Sequence, residues 1–86
     1  MYQLIFMSQA QKDAKKLASS GLKPKVMQLL ELIQQNPLQY PPNYEILQGD
    51  MKGLISRRIN KQHRLVYEVF EEEKIIKIYR MWSHYE

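Results

Sequence analysis

The chain has 86 residues, 44% of them hydrophobic, and no cysteine. That is one folded domain over residues 1–86 with a thin core; disulfides and thiolate metal sites are excluded, and a reducing cytoplasm is the natural setting. Lys and Arg number 13 against 9 Asp and Glu, a formal net charge of +4, which points to an acidic partner: nucleic acid, an acidic protein or a membrane surface.

Tyr2 to Met7 reads as a short buried strand with no basic flank and no long apolar run, so neither a signal peptide nor a membrane span is expected. Ser8 has the character of an N-cap, with Gln11 completing a capping box. Ala10, Ala14, Leu17 and Ala18 follow at helical spacing, and Gly21 can end that helix. A second helix starts near Leu22 or Lys23 with Pro24 in its first turn. Val26, Leu29, Leu30 and Ile33 form its apolar stripe, and Pro37 stops it. Residues 37–43, with Pro41-Pro42, read as loop. Strands are expected over Leu54 to Ile59, Arg64 to Phe70 and Lys74 to Trp82. Asn60-Lys61-Gln62 makes the first turn between them and Glu71-Glu72-Glu73 the second. The layout is α+β: a short N-terminal strand, two helices, then an antiparallel β-meander. Helices cover one sheet face, and the other is left open for a site.

Metal catalysis has little to work with. His63 and His84 are the only histidines, the three glycines are dispersed, and no clustered Asp pattern accompanies them. A Ser nucleophile lacks a spaced base and orienting acid. No cofactor or metal is expected. What is left is binding, or metal-free acid–base chemistry. Cleavage of RNA without a metal needs a base for the ribose 2′-hydroxyl, a cation for the phosphorane oxygens, an acid for the leaving 5′-oxygen, and a group to orient the nucleotide. Glu, Arg, His and Tyr suit those roles. Glu45 is expected just before the sheet, Arg58 and Arg64 flank the first hairpin, and His84-Tyr85 follow the last strand. Arg57, Arg58, Lys61 and Arg64 form a run without an acid.

Each residue also has a plainer explanation. Glu45 alone is most often a surface carboxylate. Arg58 and Arg64 can simply solubilise strand edges. A near-terminal His-Tyr is usually tail or packing. His63 fits a turn better than a catalytic site, and Trp82 is more often core than a base-stacking platform. Residue chemistry thus reaches a basic α+β domain that carries the components of a metal-free nuclease.

The segment from Tyr44 to Tyr67 adds to this. Its centre, Gly53-Leu54-Ile55-Ser56-Arg57-Arg58-Ile59-Asn60-Lys61-Gln62-His63-Arg64-Leu65-Val66-Tyr67, resembles the central block of the Txe/YoeB toxins within the RelE superfamily. His84-Tyr85 matches the family's terminal pair. The resemblance implies a RelE-like microbial RNase fold and a toxin of a type II toxin–antitoxin system. It implies an endoribonuclease, an mRNA interferase that cuts messenger RNA at the ribosomal A site and inhibits translation. The ribosome with its mRNA and a cognate antitoxin are the implied partners, and toxins of this group can form homodimers. By position, Glu45 matches the general base, Arg64 the phosphate-stabilising arginine, His84 the general acid and Tyr85 a substrate-positioning residue. Arg58 matches a second phosphate-contacting arginine, and Arg57, Lys52 and Lys61 extend the basic, phosphate-binding set. One position departs: Gln48 stands where relatives often carry lysine, and Lys52 is a candidate replacement. The competing reading is a non-catalytic nucleic-acid or antitoxin-binding module of the same fold. A small-molecule enzyme is a third, with no pocket signature in the sequence.

Overall fold

A computed structural model of the protein describes residues 1–82. Strand β1 (Gln3–Phe6) leads into helix α1 (Ser8–Ala18) and helix α2 (Lys23–Gln35). Strands β2 (Tyr44–Ile46), β3 (Ile55–Arg58), β4 (Arg64–Phe70) and β5 (Ile75–Arg80) follow, with a short 3-10 turn at Gly49–Met51. The five strands form one sheet in the order β1-β5-β4-β3-β2. β2 to β5 run antiparallel as a meander, and β1 joins β5 in parallel, with Leu4 opposite Ile76. The α+β layout, the two helices and the meander are therefore as expected from the sequence.

Three local expectations change. Ser8 is the first helical residue rather than the cap. Met7 takes the cap position because its N–H still donates to Ile78 O at 2.9 Å, which keeps it extended. Gln11 does not close a capping box; its amide donates to Phe6 O at 2.8 Å. α1 also ends earlier than Gly21. The Ser19 and Ser20 hydroxyls donate back to Lys16 O and Leu17 O, satisfying carbonyls that the helix end leaves open. Gly21 then makes the left-handed turn at φ +81° into α2. Third, Glu45 lies within the sheet rather than before it, on the short edge strand β2.

Side chains alternate across a strand, so the register separates two faces. Ile55, Arg57, Leu65, Tyr67, Ile76 and Ile78 share the face toward the helices, and the apolar members pack with Leu17, Val26, Leu29, Leu30 and Ile33 into one buried core. All four residues of the α2 stripe expected from the sequence are buried. Asp13 of α1 is fully buried too. Its carboxylate accepts from Met81 N–H at 2.9 Å, Arg80 Nε at 3.3 Å and Gln9 Nε2 at 3.0 Å, which fastens α1 to the end of β5. Glu45, Ser56, Arg58, Arg64 and Val66 alternate onto the other face. No helix among the described residues is long and apolar enough to cross a membrane.

Candidate active site

Three strands bring the site together. Glu45 on β2 sits opposite Ser56 on β3, which sits opposite Val66 on β4. One step along the same face, Arg58 sits opposite Arg64. The hairpin between them is tight. Asn60 Oδ1 accepts from Gln62 N–H at 2.8 Å and His63 N–H at 2.7 Å, the side-chain turn that asparagine favours. A depression of about 250 Å³ results, lined by Pro42, Asn43, Tyr44, Glu45, Ser56, Arg58 and Arg64.

Its electrostatics suit an anion. Two like charges directly opposite each other across strands are destabilising, yet Arg58 and Arg64 take that arrangement. Glu45 Oε1 lies 3.6 Å from the Arg64 guanidinium. The Glu45 side chain is 67% exposed, against 26% for Arg64. A solvent-screened pair of that kind contributes only about 0–1 kcal/mol, so Arg64 can exchange the carboxylate for a phosphate oxygen at small cost. Among the described residues no group of three His, Asp or Glu side chains is arranged to hold a metal ion.

The other expected residues divide. Arg57 does not line the depression. It is 1% exposed and points to the opposite face from Arg58. Its guanidinium donates to Tyr67 Oη at 2.9 Å and to the carbonyls of Gln39 and Pro42 at 2.7 and 2.6 Å, and of Pro37 at 3.1 Å. Lys61 is exposed in the hairpin turn, and Lys52 is exposed beyond the 3-10 turn at the other end of β3. Neither lines the depression, nor does Gln48. His63 is a turn residue as expected, stacked on Trp82 with ring centroids 3.8 Å apart. His84 and Tyr85 lie outside the described residues. Trp82, the last described residue, accepts at its carbonyl from Arg64 N–H at 3.3 Å.

Sequence reasoning missed Ser56, Tyr44 and the Pro42-Asn43 wall. Ser56 was within reach, since it alternates with Arg58 on the same strand face. The wall was not, because it depends on how a proline-rich loop folds. A larger groove of about 550 Å³ between the helices is lined mainly by apolar side chains such as Leu17, Val26 and Leu30, and holds none of the expected site residues.

The mixed sheet backed by two helices is a fold shared with YafQ from E. coli, which superposes with a TM-score of 0.84 at 20% identity. Residues 6–85 match the family model described as YoeB-like toxin of bacterial type II toxin-antitoxin system, and the chain belongs to that family. It is 34% identical to the chain in the YoeB–YefM toxin–antitoxin heterotetramer from Staphylococcus aureus, with 99% of each chain covered and a TM-score of 0.83. A YoeB/ParE toxin from Agrobacterium tumefaciens superposes with a TM-score of 0.87 at 26% identity, covering 96% of this chain and 99% of that one. A protein named Toxin YoeB from Mycobacterium bovis is 39% identical over 49 residues. That match spans 57% of this chain and 58% of the mycobacterial protein.

Proposed function

We propose that this protein is a ribosome-dependent endoribonuclease that cuts mRNA in the ribosomal A site without a metal ion. The observation that carries the reading is the convergence of Glu45, Arg58 and Arg64 on one depression of the open sheet face. In this mechanism the scissile phosphate docks between Arg58 and Arg64, and Arg64 releases Glu45. The freed carboxylate takes the proton from the ribose 2′-hydroxyl. The 2′-oxygen attacks the adjacent phosphorus, and the two guanidiniums hold the non-bridging oxygens as negative charge gathers there. The bond from phosphorus to the 5′-oxygen breaks. His84 gives its proton to that oxygen, Tyr85 helps position the nucleotide, and the upstream product carries a 2′,3′-cyclic phosphate that can open to a 3′-phosphate.

The cognate partner is a protein antitoxin, in keeping with the S. aureus toxin–antitoxin complex, and a homodimer is in keeping with the S. aureus YoeB dimer. The test is single-turnover cleavage on ribosomes programmed with a defined mRNA, alongside growth arrest on expression. Wild type should cut and arrest growth, and Glu45→Gln and Arg64→Ala should cut at least about 10²-fold more slowly and fail to arrest growth. A wild-type protein that binds ribosomes and leaves the message whole would instead make it a binding module.

A further inference from the structure

Arg57 is a heavily engaged side chain that the mechanism above does not use. It is 1% exposed, and its donors reach three carbonyls of a single loop, those of Pro37, Gln39 and Pro42. Its Nε–H goes to Tyr67 Oη, and that hydroxyl in turn donates to Pro37 O at 2.7 Å. Burial pushes the Tyr67 hydroxyl above its ordinary pKa, against the opposing pull of Arg57, so it stays a protonated donor at neutral pH. The guanidinium also sits 4.8 Å from the centre of the Tyr44 ring. A buried cation is costly unless it is well hydrogen-bonded, and here three loop carbonyls and the Tyr67 hydroxyl accept from its three nitrogens.

The same loop ends in the wall of the candidate active site. Pro42, whose carbonyl Arg57 holds at 2.6 Å, lines the depression with Asn43 and Tyr44, and Glu45 is the next residue. Glu45 needs such help. Its strand covers only Tyr44–Ile46, lies at the sheet edge, and leaves Ile46 57% exposed. A strand this short and open does not by itself hold a side chain to the tolerance that acid–base chemistry requires.

We infer that Arg57 is a positioning residue: from the helix-facing side of the sheet it fixes the 37–42 loop and edge strand β2, and so sets where Glu45 and the Pro42-Asn43 wall stand relative to Arg58 and Arg64. Adjacent arginines thereby serve one site from opposite faces, Arg58 toward the phosphate and Arg57 through the backbone. This inference rests on the reading of Glu45 as the base, and one arm of its test does not.

Arg57→Met, Arg57→Lys and Tyr67→Phe are compared with wild type and with Ile33→Val, a core substitution that serves as the control for lost stability. Amide hydrogen exchange is followed over residues 38–46 and over β4 and β5, and single-turnover cleavage is measured against ribosome concentration and salt, per folded molecule. Arg57→Met should lose protection in 38–46 while β4 and β5 keep theirs. Its maximal cleavage rate should fall about 10²-fold, as a misplaced catalytic group does, with the half-saturating ribosome concentration and the salt slope within about twofold of wild type. Arg57→Lys should recover only part, since an ammonium cannot span the same carbonyls. Tyr67→Phe should show a smaller version of both changes, and it decides the matter if Arg57→Met does not fold. Ile33→Val should cut at the wild-type rate. Unchanged exchange in 38–46 would overturn the clamp, even if wild type proves not to cut RNA. A weakened affinity with a flatter salt slope would overturn it in favour of a direct phosphate contact. Normal exchange changes with no cleavage by wild type would leave the clamp standing and sink the nuclease reading alone.

Discussion

Arg58 and Arg64 sit opposite one another across β3 and β4, and the Glu45 carboxylate lies 3.6 Å from the Arg64 guanidinium. Like charges are held opposite one another against their repulsion, and in the proposed mechanism an incoming phosphate relieves it. Arg64→Ala is therefore expected to lower the single-turnover cleavage rate by about 10²–10³-fold, the range seen when one donor to a developing oxyanion is removed. Arg64→Lys should not restore it, because a point charge lacks the guanidinium fork. Glu45→Gln keeps the shape and removes the base, for an expected loss of roughly 10²–10⁴-fold. His84→Ala should slow chemistry by a similar factor and leave ribosome affinity nearly unchanged, since a general acid acts only as the bond breaks. Cleavage at the wild-type rate by both Glu45→Gln and His84→Ala would remove the acid–base assignment and leave the family membership intact.

At the scale of elements, the junction of α1 with β5 is polar at its centre. Asp13, fully buried, accepts from Met81 N–H and ties in Arg80. Asp13→Ala leaves the buried Met81 N–H without the carboxylate it donates to, so urea unfolding followed by circular dichroism should show a loss of about 1–3 kcal/mol; an unmoved midpoint would contradict this account of the junction. The helices and the three long strands were legible in the sequence because their periods run for several turns or several alternations. Val26, Leu29, Leu30 and Ile33 carry α2, and the β-branched and aromatic run of Arg64 to Phe70 carries β4. β2 was not legible, since three residues after Pro41-Pro42 give no period to read. The parallel pairing of β1 with β5 was also beyond reach, because it is a long-range contact with no local signal. The site was half legible. Glu45, Arg58 and Arg64 were legible as candidates, but their convergence on one depression was not, because it depends on long-range strand pairing. Arg57 was grouped with them because charge was read as a run, whereas strand alternation sends every second side chain to the opposite face.

For the whole molecule, charge lies on both layers. Arg58 and Arg64 mark the open sheet face, and Lys12, Lys15, Lys23 and Lys25 are exposed on the helices. If RNA phosphates are the partner, binding releases counterions, so ribosome affinity should fall steeply and linearly in log–log form as KCl rises. A flat response would point to a protein contact instead. Chelation mild enough to leave ribosomes intact should not stop cleavage, because the proposed acid, base and cations are all side chains. The measurement that tests the central claim most directly is cleavage of a ribosome-bound message with a single 2′-deoxy nucleotide at the scissile position. Attack by the 2′-hydroxyl requires that this substrate stay whole while the all-ribose message is cut to a cyclic phosphate or 3′-phosphate end. Cutting of the deoxy message at the same position and rate would contradict the mechanism.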